Sequence, residues 1–535
     1  MAANRSVWRR LELTFLLTYA AIFYIIVIYH SLRLSNEYGV GGDKGGRLKG
    51  LRQGWIWNRF NDISDSQWRN FRGNLPILTV VLGIFMLLAN IMRSTFHLRG
   101  KGLSVLWISL SLTYIIYLHG ACTIFLLAIA VGNFFITKIF GNTHIFPITI
   151  WMYNILVLVC NRLFEGYSFT LFGQNLAFLD NYRGTFRWHI CFNFVMLRML
   201  SFGLDYHWAH GSPKMDWKRH VQHCGLCHSG KSCYHARQER SLSLKSYSFD
   251  RYLCYLIYAP LYIAGPIVSF NAFSSQLDSP QKTQSNMKIF GYGCRWFFCL
   301  CLIELMTHFC YYNSLAISGV WQLFTPWEVF IVGYGVLNFM WLKFLLIWRY
   351  FRFWALIGGI ETPENMPHCI NNCYDLEGFW KSWHASYNRW LVRYLYIPLG
   401  GSQRKLLNVW PIFTFVAIWH DLEWKLLSWA WVTCVFWMPE LLFKSIMRTP
   451  HVQNLLNKLL VRELSAVGGA ITISCLMMAN MIGFVIGPTG MHWLISRMLL
   501  KENILVLIGI FVTFYIGTKL MFHVRETDTP RNQNK

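Results

Sequence analysis

The stretch VWPIFTFVAIW, residues 409–419, carries no charge and runs directly into His420. Such a run indicates a helix inside a lipid bilayer, where charged side chains are costly. An ionisable residue at that depth needs a partner or a wet cavity and therefore indicates a functional site. A second histidine, His384, lies 36 residues earlier in FWKSWHASYNRWLVRYLYIPLGG, residues 379–401. These two histidines are the candidate centre of the protein's chemistry.

Apolar stretches recur along the whole chain. Hydrophobic residues make up 54% of the 535 residues and charged residues only 14%, against roughly 25% charged in an average soluble domain. About ten segments approach the roughly 20 apolar residues that a membrane-spanning helix needs. They are 11–31, 76–93, 103–119, 121–140, 145–162, 289–310, 326–348, 409–419 continuing into 426–443, 466–487 and 503–521. The sequence therefore predicts an all-α polytopic membrane protein.

Two further apolar segments, 188–206 and 252–270, do not fit a plain lipid-facing span. The first contains Arg198 and Asp205, and the second contains two prolines. Irregular or charged backbone segments at membrane depth are tolerated where protein surrounds them. We expect both segments to be buried or re-entrant.

The net charge of +24 does not indicate nucleic-acid binding, because the basic residues are spread through the loops and form no single patch. Basic loops of a membrane protein mark its cytoplasmic side. The stretch 206–251 has eight Lys or Arg and three acidic residues, which predicts a cytosolic loop. The 15 scattered cysteines show no extracellular disulfide framework and indicate reduced thiols.

The chain, residues 1–535, has no polar stretch long enough to form a separate soluble domain, so we interpret it as a single multi-pass membrane domain. Residues 36–54 are glycine-rich and charged, which is typical of a flexible connector. Residues 207–249 form the basic cytosolic loop, rich in cysteine and histidine, and residues 523–535 form a polar tail.

The segment 378–401 is the most unusual part of the chain. Trp383, His384 and Tyr387 recur on one face of a predicted helix. Pro398, Gly400 and Gly401 are predicted to end this helix. The helix is too polar to face lipid and too aromatic to lie free in water. We predict an interfacial helix that dips into a protein-lined cavity.

The cytosolic loop contains HVQHCGLCHSGKSCYHARQER, residues 220–240. Cysteine and histidine at such spacing can bind zinc through four N or S ligands. The alternative is a cysteine-rich loop available for lipidation. CGLCH also matches a haem-attachment pattern, which belongs to a different compartment. The candidate ligands are Cys224, Cys227 and Cys233 with His223, His228 or His235 nearby.

Three blocks together resemble a known family. The segment 379–401 followed by FVAIWHD, residues 415–421, is similar to the active-site region of the membrane-bound O-acyltransferases. YAPLYIAGPIVSF, residues 258–270, and LKFLLIWRYFRFWALIGGIETPENMPHC, residues 342–369, are similar to other blocks of that family. The resemblance covers a core of residues 250–440 and is strongest to the Gup-type branch, which is related to the hedgehog acyltransferases.

This resemblance implies a multi-pass enzyme of the endoplasmic reticulum, with re-entrant and interfacial helices beside the spans around a central acyl tunnel. It implies transfer of a long-chain fatty acyl group from acyl-coenzyme A to a lipid acceptor, of the kind that remodels glycosylphosphatidylinositol (GPI) anchors. The acceptor would be a lysophospholipid or a lyso-GPI. The expected partners are acyl-coenzyme A as co-substrate, the lipid acceptor and membrane lipids, with no nucleic acid, no required cofactor and no metal.

The resemblance assigns catalysis to His420 and His384. A neutral imidazole suits a base that takes a proton from an acceptor hydroxyl, and we assign that role to His420. His384 would orient the acceptor or polarise the thioester carbonyl. Arg389, Arg393, Arg404 and Lys405 are candidates for binding the coenzyme A head, unless they only mark topology. The candidate substrate-binding residues are Asn388, Trp383, Arg389, Arg393 and Trp419.

Other functions stay open at this stage. The Gup-type branch is named for glycerol uptake, which suggests a glycerol or polyol transporter. The paired broken helices or repeats typical of transporters are not visible in the sequence. A catalytically silent regulator is a further alternative. Hedgehog acyltransferases have an aspartate where this chain has His384, and this difference argues against protein N-palmitoylation. They also resemble this chain around Cys369, which would be a haem-ligating thiolate or a free thiol.

Overall fold

The computed structural model of the protein describes residues 2–44, 46, 48–211, 216–279, 284–447, 449–450, 452 and 457–533. Its first half contains α1 (Ala2–Tyr38), β1 (Leu51–Gln53), β2 (Phe60–Asp62), α2 (Ser66–Thr95), α3 (Gly100–His119), α4 (Thr123–Phe140), α5 (Phe146–Leu163), α6 (Trp188–Ala209), α7 (Trp217–His223), α8 (Gly225–His228), α9 (Tyr234–Glu239), α10 (Phe249–Ile257), α11 (Ala259–Tyr262) and α12 (Phe270–Asp278).

The second half of the chain is entirely helical apart from its loops, within the described residues. It contains α13 (Asn286–Phe309), α14 (Tyr312–Ile317), α15 (Pro326–Ile357), α16 (Leu376–Ser382), α17 (Ala385–Leu391), α18 (Lys405–His420), α19 (Trp424–Met447), α20 (Lys458–Phe484), α21 (Gly487–Met498) and α22 (Ile504–Gln533). A π-helix, Val392–Tyr396, directly follows α17.

Within these described ranges, nine helical segments are long and apolar enough to cross a membrane. One of them, Gly100–Phe140, contains α3, the short 3-10 turn Gly120–Cys122 and α4, so it covers two of the predicted segments. The predicted class of an all-α polytopic membrane protein is confirmed. The candidate spans are Trp8–Tyr38, Ser66–Thr95, Gly100–Phe140, Phe146–Leu163, Asn286–Phe309, Pro326–Ile357, Trp424–Met447, Leu459–Phe484 and Lys501–Thr527.

The predicted continuation of 409–419 into 426–443 is wrong. The backbone at Asp421 is extended, with φ −168° and ψ 160°, and it ends α18 directly after His420. The next helix, α19, begins at Trp424 and packs against α18. The polar residues Asp421 and Glu423 therefore form a turn between two helices. This turn places His420 at a helix end.

Helix α6 lies in the centre of the protein, and its buried charges are compensated. The Arg198 guanidinium donates to the carbonyl oxygens of Leu256, at 2.7 Å, and Tyr255, at 3.5 Å, where α10 ends. Asp205 is fully buried and accepts from the Tyr394 hydroxyl at 3.0 Å. These pairs explain how segment 188–206 stays inside the protein, as predicted. Neither segment 188–206 nor segment 252–270 is a candidate span.

The segments predicted as connector, loop and tail each include residues outside the described ranges. Lys214, one of the basic residues of the loop, is among them. The end of the connector forms β1, which pairs with β2 beyond the connector in an antiparallel hairpin. The Ser314 hydroxyl donates to the Lys49 carbonyl oxygen at 2.7 Å, which attaches the hairpin to α14. The cytosolic placement of residues 207–249 stays a prediction.

Candidate active site

The segment around His384 is not one continuous helix, contrary to the prediction for 378–401. Helix α16 ends at Ser382 and α17 begins at Ala385. Between them His384 adopts the left-handed conformation, with φ 48° and ψ 48°. A side chain in this region is uncommon because its Cβ approaches the following carbonyl oxygen. The break turns the imidazole away from the regular helix face.

Asn365, from the loop before α16, maintains this break. Its carbonyl oxygen accepts from the Ala385 amide at 3.0 Å, and its side-chain oxygen accepts from the Ser386 amide at 3.0 Å. The Ser386 hydroxyl in turn accepts from the Ile267 amide at 2.8 Å. The start of α17 is thus tied to the loop before α16, and no pattern in the sequence predicted this role of Asn365.

Aromatic rings enclose the His384 imidazole. Its ring centroid is 4.2 Å from that of Trp348 and 5.3 Å from that of Tyr387. The residue is 7% exposed, and among the described residues nothing hydrogen-bonds to its Nδ1. Burial, and secondly the nearby His420, lower the pKa of His384. The imidazole is therefore neutral near neutral pH.

Trp419 fastens α18 to the central helix α6. Its indole N–H donates to the Asn193 carbonyl oxygen at 3.0 Å, and the Asn193 side-chain amide donates back to the Trp419 carbonyl oxygen at 2.5 Å. The indole ring lies 6.4 Å from the His384 ring and 4.9 Å from the His420 ring, centroid to centroid. One fixed tryptophan is thus adjacent to both histidines.

His420 is exposed, in contrast to His384, and its surface borders an internal cavity. The Arg162 guanidinium, at the end of α5, donates to the His420 carbonyl oxygen at 3.0 Å and lies 3.6 Å from the Asp421 carboxylate. A cation is favourable at a helix C-terminus. The surrounding protein, and secondly the Arg162 charge, lower the pKa of His420, while Asp421 opposes this shift. Both histidines lie outside the nine candidate spans.

The cavity has a volume of about 1320 Å³ and is bordered by both histidines. Ligand pockets are usually about 300–1,000 Å³, so this cavity has room for more than a small molecule. Many of its lining residues are apolar, and those contributed by α2 and α15 are here called its apolar wall. Residues on that wall include Leu78, Val81, Met340, Phe344, Ile347 and Phe351.

Charged side chains border the cavity at the α16 end. The Glu377 carboxylate accepts from the ammonium groups of Lys381, at 2.7 Å, and Lys405, at 3.1 Å. These bonds, that from Lys381 first, lower the pKa of Glu377 to about 2. Two ammonium groups facing one carboxylate leave this part of the cavity lining, here called the mouth, with a net positive charge. A buried pair, Lys343 and Asp65 at 2.8 Å, also borders the cavity.

The predicted site residues separate into two groups. Trp383, Asn388 and Trp419 border the cavity together with the two histidines, and so does Lys405. Arg393 points elsewhere: it is buried, forms an ion pair with Glu239 and lies 3.1 Å from the Asp205 carboxylate. Arg389 and Arg404 are exposed and do not border the cavity. The proposed coenzyme A contacts from these three arginines therefore have no support in the geometry.

A family profile described as MBOAT, membrane-bound O-acyltransferase family, matches residues 145–483. This range contains both histidines, α15 and the loop that carries Asn365. The chain belongs to the membrane-bound O-acyltransferase family. As a member of that family it is an acyltransferase enzyme, and the family uses acyl-coenzyme A as co-substrate in general.

This membrane-bound O-acyltransferase has relatives along most of its length. It is 34% identical to membrane-bound O-acyltransferase GUP1 of Saccharomyces cerevisiae, over 98% of this chain and 92% of the relative. It is 33% identical to gup1 of Schizosaccharomyces pombe, over 91% and 84%. Protein-cysteine N-palmitoyltransferase HHAT of Mus musculus is 29% identical over 46% of this chain and 52% of its own. The resemblance to the Gup-type branch is confirmed.

Several residues that shape the site of this membrane-bound O-acyltransferase are not apparent from sequence patterns. Asn365, Trp348, Asn193 and Arg162 act on the histidines from four separate elements. Asn365 and Trp348 lie in the block 342–369 that resembles the family, which is the one signal that points to them. Asn193 and Arg162 lie in ordinary apolar segments, and only the packing of α5, α6 and α18 brings them to the site.

Proposed function

We propose that this enzyme transfers a long-chain fatty acyl group from acyl-coenzyme A to the hydroxyl of a lipid acceptor in the endoplasmic reticulum membrane. The acceptor is a lysophospholipid or a lyso-GPI. One observation carries the proposal: His384 and His420 border the same cavity, which has an apolar wall. Such a cavity suits an acyl chain beside a base.

In the proposed reaction, His420 takes the proton of the acceptor hydroxyl while the oxygen attacks the thioester carbonyl carbon. The carbon–sulfur bond then breaks, and the coenzyme A thiolate leaves and takes up the proton. General-base catalysis of this kind contributes about 10²–10⁴-fold in rate. His384 binds the carbonyl or the acceptor by a hydrogen bond, which a neutral, fixed imidazole can donate.

The donor would enter from the α16 end. Its acyl chain fits the apolar wall of α2 and α15, and its phosphates suit the mouth at Lys381 and Lys405. Long-range attraction between a positively charged cleft and an anionic substrate favours this direction. Lys405 would thus bind the coenzyme A head, as the sequence predicted, and Lys381 would bind it as well.

The acceptor would reach His420 from the other end. A second pocket of about 400 Å³ borders His420 and lies between residues 421–426 and 482–487. Asp421, Glu423 and Lys425 give this pocket a polar rim. A lipid with a polar head group and a free hydroxyl suits such an opening at the end of α18.

The test is transfer of labelled palmitate from palmitoyl-coenzyme A to lysophosphatidylinositol by the purified full-length protein. We expect His420→Ala to abolish transfer while the detergent-solubilised protein elutes as before in size-exclusion chromatography. His492→Ala is the matched control, because His492 is exposed on α21 and borders neither pocket. Full activity of a folded His420→Ala protein would refute the role of His420.

A protein acceptor is the second candidate, and the similarity to the mouse protein-cysteine N-palmitoyltransferase favours it. Lipid analysis of cells that lack the protein separates the two candidates. Accumulation of a lyso-lipid, reversed by the wild type and not by His420→Ala, supports the lipid acceptor. An unchanged lipidome with loss of an acylated protein would favour the second candidate. A fluorescent fusion tests the endoplasmic reticulum location in the same cells.

A further inference from the structure

Three cysteines and one histidine meet in the loop between α6 and α10. The ligand atoms of His220, Cys224, Cys227 and Cys233 all lie within 4.8 Å of one another. No step of acyl transfer uses these residues, and they are distant in sequence from both catalytic candidates. Three thiolates and one imidazole in a tetrahedral arrangement are a ligand set of structural zinc sites.

Short helices bring these four side chains together. His220 is on α7, Cys224 and Cys227 are at either end of the turn that forms α8, and Cys233 directly precedes α9. The His220 Nε2 lies 3.3 Å from the sulfur of Cys227 and 3.3 Å from that of Cys233. One ring nitrogen therefore faces two sulfurs at once, as it would when all three bind one ion.

Backbone amides support the sulfurs. The Cys233 amide lies 3.5 Å from the Cys227 sulfur, and the Ala236 amide lies 3.3 Å from the Cys233 sulfur. Hydrogen bonds to metal-bound ligands orient them and tune the site. Amide donors directed at sulfur stabilise the thiolate, which is the form that binds a metal.

The structure selects a histidine that the spacing did not. Spacing predicted His223, His228 or His235 as a ligand, whereas His220 is the histidine in the cluster. His223 is exposed, and its Nδ1 is 2.8 Å from the Arg219 carbonyl oxygen. His220 lies one turn earlier on α7, and that turn rotates its ring toward the cysteines.

We propose that His220, Cys224, Cys227 and Cys233 bind one Zn²⁺ ion as a closed structural site. Soft thiolates with imidazole in four-coordinate geometry favour zinc over calcium or magnesium, which prefer oxygen ligands. Binding involves no redox step: each thiol that becomes a ligand loses its proton to solvent. The buried position of Cys227, 5% exposed, argues against lipidation of that thiol.

The proposed ion would hold the loop on the helices next to the active site. Helix α9 begins directly after Cys233 and packs against α12. At its other end, Glu239 forms an ion pair with Arg393 of the π-helix that follows α17. Zinc bound at Cys233 would thus help to position Glu239, six residues further along the chain, against Arg393. None of the four residues takes part in the proposed acyl transfer, so the zinc proposal stands independently of the proposed function.

Metal content of the purified full-length protein tests this proposal. We expect about one zinc ion per chain by elemental mass spectrometry, retained through gel filtration. Cys224→Ser and Cys233→Ser should each lose most of it. His220→Ala should lower the zinc content, and its matched control His223→Ala should retain it. Cys369→Ser, an exposed cysteine outside the cluster, is the control for a general effect of removing a thiol.

A second measurement needs no variant and so remains valid if the variants fail to fold. In the wild-type protein, maleimide labelling of Cys224, Cys227 and Cys233 should be slow and should rise several-fold after a zinc chelator is added. Replacement of zinc by cobalt should give the visible absorption of tetrahedral cobalt with thiolate ligands. Zinc-free protein from zinc-supplied cells, or acylated cysteines at these positions, would overturn the proposal.

Discussion

The two histidines of the site differ in exposure and in backbone conformation. His384 is buried, adopts a left-handed backbone conformation between two short helices and is enclosed by aromatic rings. His420 is exposed to two pockets and ends a regular helix whose terminal carbonyl binds Arg162. A fixed, enclosed imidazole suits orientation of a substrate, whereas an open one suits proton transfer. The difference supports separate roles for the two residues.

The largest effect is expected from removing the open imidazole. His420→Ala should lower kcat by about 10²–10⁴-fold, because the proton acceptor is lost. Thermal stability should change little, since the side chain faces pockets and its backbone carbonyl keeps the bond to Arg162. Steady-state kinetics and a melting curve measure the two quantities. A kcat within twofold of the wild type would remove the distinction between the histidines.

Removing the enclosed imidazole should cost about 10²-fold in kcat, as for loss of one oriented hydrogen-bond donor. Here the choice of replacement matters for stability. Glycine adopts the left-handed conformation freely, whereas alanine pays roughly 1–2 kcal/mol for it. We expect His384→Gly and His384→Ala to be equally inactive, with the glycine variant melting at the higher temperature. The reverse order of melting would contradict the left-handed backbone.

Substitution of Asn365 tests whether the backbone conformation of His384, apart from its side chain, matters for activity. Asn365→Ala removes the acceptor of the Ser386 amide, and an unsatisfied buried donor costs about 1–3 kcal/mol. We expect about a tenfold loss of kcat, with KM for the donor little changed, because a small misplacement of a catalytic group slows the reaction. Asn371→Ala is the matched control, since Asn371 bonds Asn338 and neither residue borders the cavity. Equal kinetics of the two variants would count against this role.

The smallest effect concerns pH. Burial lowers the pKa of His384, and the surrounding protein lowers that of His420. A base works in its neutral form, and a lowered pKa keeps that form as the pH falls. Activity should therefore persist as the pH drops through about 6.5, the ordinary histidine value, and decline only below it. A pH profile of kcat/KM checks this sign, and an acid limb above that value would contradict it.

Much of the fold follows from local sequence properties. Long apolar runs predict each spanning helix, because the bilayer selects length and composition. The two histidines could also be singled out as candidates, since an ionisable residue next to a long apolar run indicates a functional site. The interruption at His384 was not predictable, because its aromatic neighbours keep helical spacing across the break. The break depends on bonds from Asn365, which lies about 20 residues earlier in the chain.

The sequence alone determined that this protein is an α-helical membrane enzyme with two notable histidines and a cysteine-rich loop. Only the tertiary structure decided that both histidines border one cavity, that Arg393 faces Asp205 and Glu239, and that His220 completes the cysteine cluster. The physical reason is the range of the interactions. Hydropathy and periodicity describe single helices, whereas convergence of side chains depends on how distant helices pack.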